Sequence, residues 1–390
     1  MPFDPEAPLP AAPDPWASSE MPALRDGPPY LMTEMITAEP AFAERLARRL
    51  PEQTALEALA TAIRTAAGNG EVVVTTGCGT SEHAALAVAA LLDDALRAAG
   101  ARDRRVTSEQ AFELARRPPS AGVVMAISHE GGTWATNEAL RLARAAGATT
   151  ALVTVSTRSP GAALADVILA TEEQDQSWCH TVGYLSPLVA GTVLSAAVQD
   201  ETIDPVSLRA LLDASDHVPS ADAGAAVLAG CSRVLVVGSG VDYATARELA
   251  LKVEEGARLP ATAHLLETIR HGHLAAADER TGLVVVLTDG EARGTTLLER
   301  ARAVLRSAAA LRMPTAAIVA ADLGDDIARD LTPAGRAAVP LTSHLPRLAA
   351  AALGAAIPVQ LLAERLARAR GVNPDSLGRE DPRQAAAADA

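Results

Sequence analysis

A strand–loop–helix unit occurs twice in this chain, and each copy turns on glycine. The first reads EVVVTTGCGTSEHAALAVAALL, where a β-branched run over 72–76 meets Gly77-Cys78-Gly79-Thr80-Ser81 and then an Ala/Leu-rich helical stretch. The second reads RVLVVGSGVDYATARELALKVEE, where the run over 234–237 meets Gly238-Ser239-Gly240 and another helix. A buried strand that ends in a glycine turn at a helix N-terminus leaves backbone N–H groups pointing outward, where they bind an anion or a polar ligand. Two such units in one chain predict two α/β domains of one design.

The pattern around the units agrees. Further strands are expected at 105–107, 123–127, 150–155 and 167–170, with helices near 82–99, 134–146 and 186–199. The second series has strands near 283–287, 316–319 and 338–341 and helices near 242–257, 294–311 and 345–369. Strands alternating with long amphipathic segments imply parallel sheets with right-handed crossovers. The polar, Pro-punctuated stretch 202–222 is the expected connection between domains. Ahead of the series, residues 1–29 are rich in proline and are expected to form a disordered arm. TEMITAEPAFAERLARRL then has helical periodicity, with Thr33 as the expected N-cap. The layout is therefore an arm over 1–29, a first domain over 30–205, a second over 215–370 and an extended C-terminal arm over 371–390.

Composition narrows what such a chain binds. Aromatic residues are only 2%, so Ala, Val and Leu must fill the cores. A net charge of −14 argues against a nucleic-acid partner, whose affinity comes from Lys and Arg neutralising phosphates. It leaves an anionic small molecule open, because a local site can be electropositive within an acidic protein. Cys78, Cys179 and Cys231 fit neither a disulfide framework nor a CxxC metal pair, which suits a reducing cytoplasm. The start, MPFDPEAPLP, lacks the basic and apolar regions of a secretory signal. Apolar runs are broken by Pro, Arg or Gln short of the ~20 residues a membrane span needs, so no membrane partner is expected.

A second loop follows a strand in the first domain: Ser128-His129-Glu130-Gly131-Gly132-Thr133, after 123–127 and before a helix. Parallel strands set such loops side by side at their C-terminal ends. Thr80, Ser81, Ser128 and Thr133 then converge as four hydroxyls beside two helix N-termini, an arrangement suited to a phosphate ester. Each hydroxyl taken alone is more readily an ordinary helix cap. The pairing of two loops after two strands favours a ligand.

TTGCGTS, SHEGGT and the downstream A-L-K-x-x-E…H-G stretch together resemble the sugar isomerase (SIS) domain family. The tandem arrangement over about 33–380 is similar to the isomerase half of glucosamine-6-phosphate synthase without its glutaminase domain. The resemblance implies two flavodoxin-like αβα domains with a phosphate site in the first, formed by a loop S-x-S-G-x-[TS]. Ser128 and Thr133 match that loop, as Thr80 and Ser81 match the earlier one, and His129 lies between them. Glu130 departs from it, setting a carboxylate where relatives offer a hydroxyl. A like-charge pair at ~4 Å with an effective dielectric near 20 costs about 4 kcal/mol. Either Glu130 swings away or the substrate carries no phosphate there.

The same resemblance implies an acid/base pair. Glu255, in Ala250-Leu251-Lys252-Val253-Glu254-Glu255, falls on the family's catalytic glutamate, and His271 falls on its ring-opening histidine. Moving a proton between C1 and C2 through an enediol needs one carboxylate that takes it and returns it. Ring opening needs a donor with a pKa near 6.5. Glu254 and Glu255 also read as a solvated helix face. Glu267 matches a position that is acidic in relatives and holds a sugar hydroxyl or a backbone amide. Thr181 and Tyr184 match a stretch near the sugar, with Val182 in place of a lysine. Pro382 stands where relatives carry a tail lysine, leaving Arg379 or Arg383 as the substitute charge. A guanidinium stays protonated, so imine chemistry from the tail is not expected.

The resemblance thus implies a cytoplasmic aldose–ketose isomerase or amino-sugar isomerase/deaminase acting on a sugar phosphate. It needs no metal and no organic cofactor, and works as a homodimer with shared sites. Two alternatives stay open: the same chemistry on an unphosphorylated or amino sugar received by Glu130, and a non-catalytic sugar-phosphate-binding regulator. His264, His271 and His273 also invite a metal, but His-x-His without matching Cys or carboxylate spacing is a poor zinc pattern.

Overall fold

The computed structural model describes residues 3–101, 106–215, 218–342 and 344–389. Helices α1 (Leu31–Arg49) and α2 (Thr54–Gly68) precede the first series: β1 (Val73–Gly77), α3 (Thr80–Ala98), β2 (Val106–Gln110), α4 (Ala111–Arg116), β3 (Val123–Ile127), α5 (Trp134–Ala146), β4 (Thr149–Thr154), β5 (Val167–Ala170) and α6 (Val182–Val198). Helices α7 (Pro205–Ala214) and α8 (Val218–Leu228) lead into the second: β6 (Arg233–Gly238), α9 (Val241–Ala257), β7 (Ala261–Leu265), β8 (Thr281–Leu287), α10 (Thr296–Ala310), β9 (Thr315–Ala320), β10 (Arg336–Val339), α11 (Arg347–Ala369) and α12 (Pro382–Asp389).

Both series close into parallel five-stranded sheets, ordered β2-β1-β3-β4-β5 and β10-β9-β8-β6-β7. Counted from its own first strand, each has the flavodoxin-like order 2-1-3-4-5, whose direction reverses at a switch point between the first and third strands. Those points are β1/β3 and β6/β8. Val73 pairs with Val123 across the first, and Val234 with Gly282 across the second. The central strands VVTTG, VVMAI and TGLVVVL are buried along their whole length, as parallel strands covered on both faces must be.

The glycine turns are the same in both copies. Gly79 and Gly240 cap α3 and α9 with φ of 57° and 62°, a region that favours glycine. A Cβ on Gly77 would meet the Ser81 backbone at 2.6 Å, and one on Gly238 the Asp242 carbonyl oxygen at 2.3 Å. Glycine is therefore required wherever the helix folds back onto its strand. The helices so launched pack together: Glu82 of α3 pairs with Arg247 of α9 at 2.7 Å, and His83 with Glu248 at 2.8 Å.

Several sequence expectations are corrected. The proline-rich segment is ordered against the first domain: Leu9 is buried, its amide donates to Glu173 at 2.9 Å, and Ala11 bridges Glu173. Helix α1 starts earlier than Thr33, with Tyr30 at the cap; Thr33 accepts the Tyr30 amide and donates to Glu364 at 2.6 Å. The connection 202–222 is mostly helical, in α7 and α8. Helix α2 and edge strand β7 lie where no element was expected. The C-terminal segment is not extended: it turns back onto the body, Asp375 is fully buried and accepts the amides of Leu31 and Met32 at 2.8 Å, and α12 follows. Arg105, the first residue of one expected strand, lies outside the described residues. Helix α11 is long and apolar enough to cross a membrane, and 89% of its apolar window is buried inside the protein, as in a core helix.

Candidate functional site

The β1 and β3 loops stand side by side at the first switch point, around a cavity of about 610 Å³. Thr80 and Ser81 come from the first loop, and Ser128, His129, Glu130 and Thr133 from the second. None of the four hydroxyls caps a helix. The α3 cap is Gly79, and Thr133, at the cap of α5, makes no side-chain capping bond. Ser128 Oγ lies 3.5 Å from Thr133 Oγ1, whereas Thr80 donates to Glu248 at 3.3 Å and is largely covered.

Glu255 enters from α9. It shares one helix face with Glu248 and Lys252, an i, i+4, i+7 spacing that sets charged groups in line. The Lys252 ammonium is buried, 2.6 Å from Glu255 Oε2 and 3.5 Å from Glu248 Oε1. Burial alone would depress Lys252, but the two carboxylates outweigh it and raise its pKa. Burial likewise opposes Glu248's charge, and Lys252 and His83 hold its carboxyl below the usual range. Glu248 escaped the sequence reading and Lys252 entered it only as part of the A-L-K-x-x-E stretch, although their spacing from Glu255 was legible.

Glu130 is turned to the N-terminal segment. It accepts the Ser19 amide at 3.2 Å, the Ser19 hydroxyl, and Gln174 Nε2 at 3.2 Å. Trp16 lies against Gly132, where a Cβ would come within 3.4 Å of its ring. The supposed free arm is thus a wall of the cavity.

A second wall comes from the stretch expected near the sugar, but through His180 and Trp178 rather than Thr181 and Tyr184. Asp175, fully buried, accepts the amides of Ser177 at 3.0 Å, Thr181 at 2.7 Å and Gly183 at 2.9 Å. His180 Nδ1 lies 3.7 Å from Asp175 Oδ2, an ion-pair distance beyond hydrogen-bond length. His129 Nε2 accepts the Asp175 amide at 3.0 Å, and the two imidazole centroids are 5.2 Å apart. Burial, reinforced by His180, drops His129 to about 4, so it is neutral, with its proton on an unpartnered Nδ1. Burial opposes the charge of His180 too, but Asp175 prevails and raises it. From the C-terminal segment, Arg379 stacks on Trp178, 4.7 Å from the ring centroid, and both border the cavity. Of the two tail arginines, Arg383 is instead exposed and bound to Asp381 at 2.6 Å.

Four expected site residues lie elsewhere. Thr181 is buried at the start of α6, with its carbonyl accepting Gln360 Nε2 at 3.2 Å. Tyr184 is in the core. His271 has 71% of its side chain exposed and pairs with Glu267 at 3.0 Å; Glu267 also meets Arg300 at 3.2 Å. Neither lines the cavity of its own chain. His264 and His273 stack at 4.0 Å, and among the described residues no three His, Cys, Asp or Glu side chains cluster as for a metal ion.

The family model for the SIS domain matches residues 71–198 and 227–330. The glutamine–fructose-6-phosphate aminotransferase [isomerizing] of Symbiobacterium thermophilum is 30% identical over 376 residues, which cover 90% of this chain and 58% of that enzyme. The chain thus spans little more than half the length of that relative. In fold it is similar to the C-terminal domain of glucosamine-fructose-6-phosphate aminotransferase from Francisella tularensis, with a TM-score of 0.74 at 19% identity, covering 91% of this chain and 100% of that one. It is also similar in fold to tagatose-6-phosphate ketose/aldose isomerase from Escherichia coli, with a TM-score of 0.68 at 20% identity, covering 92% and 97%. Both matched segments contain a glycine-turned switch point, and the first contains both hydroxyl loops of the cavity; the chain belongs to the SIS domain family.

Proposed function

We propose that the protein is a cytoplasmic aldose–ketose isomerase of sugar phosphates. The observation that carries the reading is Glu255: a carboxylate on the cavity wall, held by a buried ammonium, across from two hydroxyl-bearing loops at helix N-termini. A phosphate against Ser128, Thr133 and the start of α5 leaves the sugar carbons toward Glu255, which takes the proton from one carbon and returns it to the next. The capture of Glu130 by Ser19 and Gln174 supports a phosphorylated substrate over an amino sugar, since the carboxylate already has its donors. The names of the relatives, which include a ketose/aldose isomerase and an isomerizing aminotransferase, agree with this chemistry. Because His271 and Glu267 are exposed and do not line the cavity of their own chain, we infer a homodimer in which His271 opens the ring in the neighbouring site.

The test is solvent-deuterium incorporation at C1 and C2 of fructose 6-phosphate, tagatose 6-phosphate and glucosamine 6-phosphate. Exchange by the unaltered protein, lost in a folded Glu255→Gln variant, is the expected result. Equal exchange in that variant removes Glu255 from the mechanism.

A further inference from the structure

We propose that His180, oriented by Asp175, is the catalytic group that moves the proton between the substrate oxygens, while Glu255 moves the one between the carbons. The proposal rests on the isomerase reading above. An enediol route requires both transfers: as a base takes hydrogen from carbon, the adjacent carbonyl oxygen gains charge and must be protonated. Glu255 alone leaves that half of the reaction without a partner.

The placement of His180 meets the requirement. It lines the cavity that Glu255 lines, and the neighbouring Cys179 Sγ is 4.0 Å from Glu255 Oε2. Its Nδ1 is buried toward Asp175, so the 29% of the side chain left exposed faces the cavity. Asp175 is itself fixed by three backbone amides, which makes it a rigid anchor for the ring. Room for the ring depends on Gly183, where a Cβ would come within 3.0 Å of His180 Cβ and 3.1 Å of Cγ. His129, neutral and bound to the Asp175 amide, packs beside it and adds a buried N–H without a partner on the same wall.

The step balances. Glu255 removes the proton on the carbon beside the carbonyl as the imidazolium gives its proton to the carbonyl oxygen, forming the enediol. The imidazole then takes the proton of the other hydroxyl as the Glu255 carboxylic acid returns hydrogen to the neighbouring carbon. Both groups end in their starting states, and no outside oxidant, reductant or co-reactant takes part.

The charged groups around the ring are Asp175 on its own segment, Lys252 and Glu255 from α9, the Glu130 carboxylate beyond His129, and Arg379 over Trp178. Burial opposes the charge and Asp175 prevails over it, so His180 holds its proton to a higher pH than an ordinary imidazole would and loses it as pH rises through a value above 6.5.

The experiment measures deuterium exchange against pH for whichever of the three sugar phosphates the unaltered protein turns over fastest. It compares the unaltered protein with His180→Asn, Asp175→Asn, Gly183→Ala and Glu255→Gln, each checked for folding by thermal melting. Expected for His180→Asn is a kcat loss of about 10²–10³-fold with little change in KM, and disappearance of the alkaline limb. Asp175→Asn, a positioning change, moves that limb to lower pH, and Gly183→Ala lowers kcat by displacing the ring. Loss of exchange in Glu255→Gln with an unaltered rate and pH profile in His180→Asn overturns this proposal alone. Absence of exchange with every probe in the unaltered protein, or full exchange in Glu255→Gln, overturns the isomerase reading and this proposal with it.

Discussion

Lys252 and Glu255 are joined at 2.6 Å between Nζ and Oε2, so one end of the pair is sealed inside the protein and the other opens onto the cavity. The same ammonium also serves Glu248, which is fully buried. The arrangement ties the orientation of the cavity carboxylate to the stability of the α3–α9 contact.

Replacing Lys252 by Met leaves Glu248 buried without its cation. Removing one partner of a buried pair costs about 3–5 kcal/mol, and His83 and Thr80 remain as hydrogen-bond partners, so the lower end is expected. Adding Glu248→Gln should restore more than half of the loss. Urea unfolding of the single and double variants measures both.

The link from Ser19 and Gln174 to Glu130 is expected to decide how well the site tolerates an anion. Ser19→Ala with Gln174→Ala removes two side-chain donors and frees the carboxylate to face the phosphate. Hydrogen bonds to a charged group are each worth about 1.5–3 kcal/mol, so affinity for fructose 6-phosphate should fall at least ~10-fold, or ~1.4 kcal/mol. Adding Glu130→Ser should recover it, because the charge is then gone. Calorimetric titration of the three proteins checks this; an unchanged affinity in the double variant means that Glu130 stays out of the site without help.

If His271 serves the neighbouring site, Glu255→Gln and His271→Ala protomers complement each other. In a random mixture half of the dimers are mixed, and each mixed dimer has one site with both residues intact. Activity should therefore return to about a quarter of the unaltered level. No recovery on mixing, together with an active monomer in sedimentation, assigns each site to a single chain.

The second switch point is filled from within. Asp242, fully buried near the start of α9, accepts the Thr288 amide at 2.9 Å and its hydroxyl. Burial pushes its carboxyl up from 3.8 to about 6, although Thr288 pulls the other way. A raised acid contributes stability that is complete below the unfolded pKa near 4 and is lost as pH rises through the folded value near 6. The expected loss is about 3 kcal/mol. The stability of the unaltered protein relative to Asp242→Asn should fall by that order between pH 4 and 7, measured as urea midpoints; a constant difference shows that the carboxyl is ionised throughout.

Strands β1, β3, β6 and β8 stood out because a strand covered on both faces is a near-continuous run of apolar and β-branched residues, and the glycines that close β1 and β6 marked the turns. Strand β7, ATAHL, is a half-exposed edge with no such run, and α2 has the composition of many Ala-rich connectors. The N-terminal segment was misjudged because proline prevents regular structure, and absence of regular structure was equated with absence of packing. Leu9 and Trp16 pack without any repeat that a pattern could reveal.

The sequence by itself determined the two glycine-turned units, the parallel sheets that follow from them, and hence two hydroxyl loops side by side at one switch point. It also determined that Glu248, Lys252 and Glu255 share a helix face, because these are properties of local period and backbone sterics. Only the tertiary structure decided that Trp16 and Ser19, His180 with Asp175, and Arg379 close the same cavity, and that His271 does not. The residues that meet come from three segments far apart in the chain. Their meeting depends on how irregular surfaces fit against one another, which neither a 3.6-residue nor a two-residue period encodes.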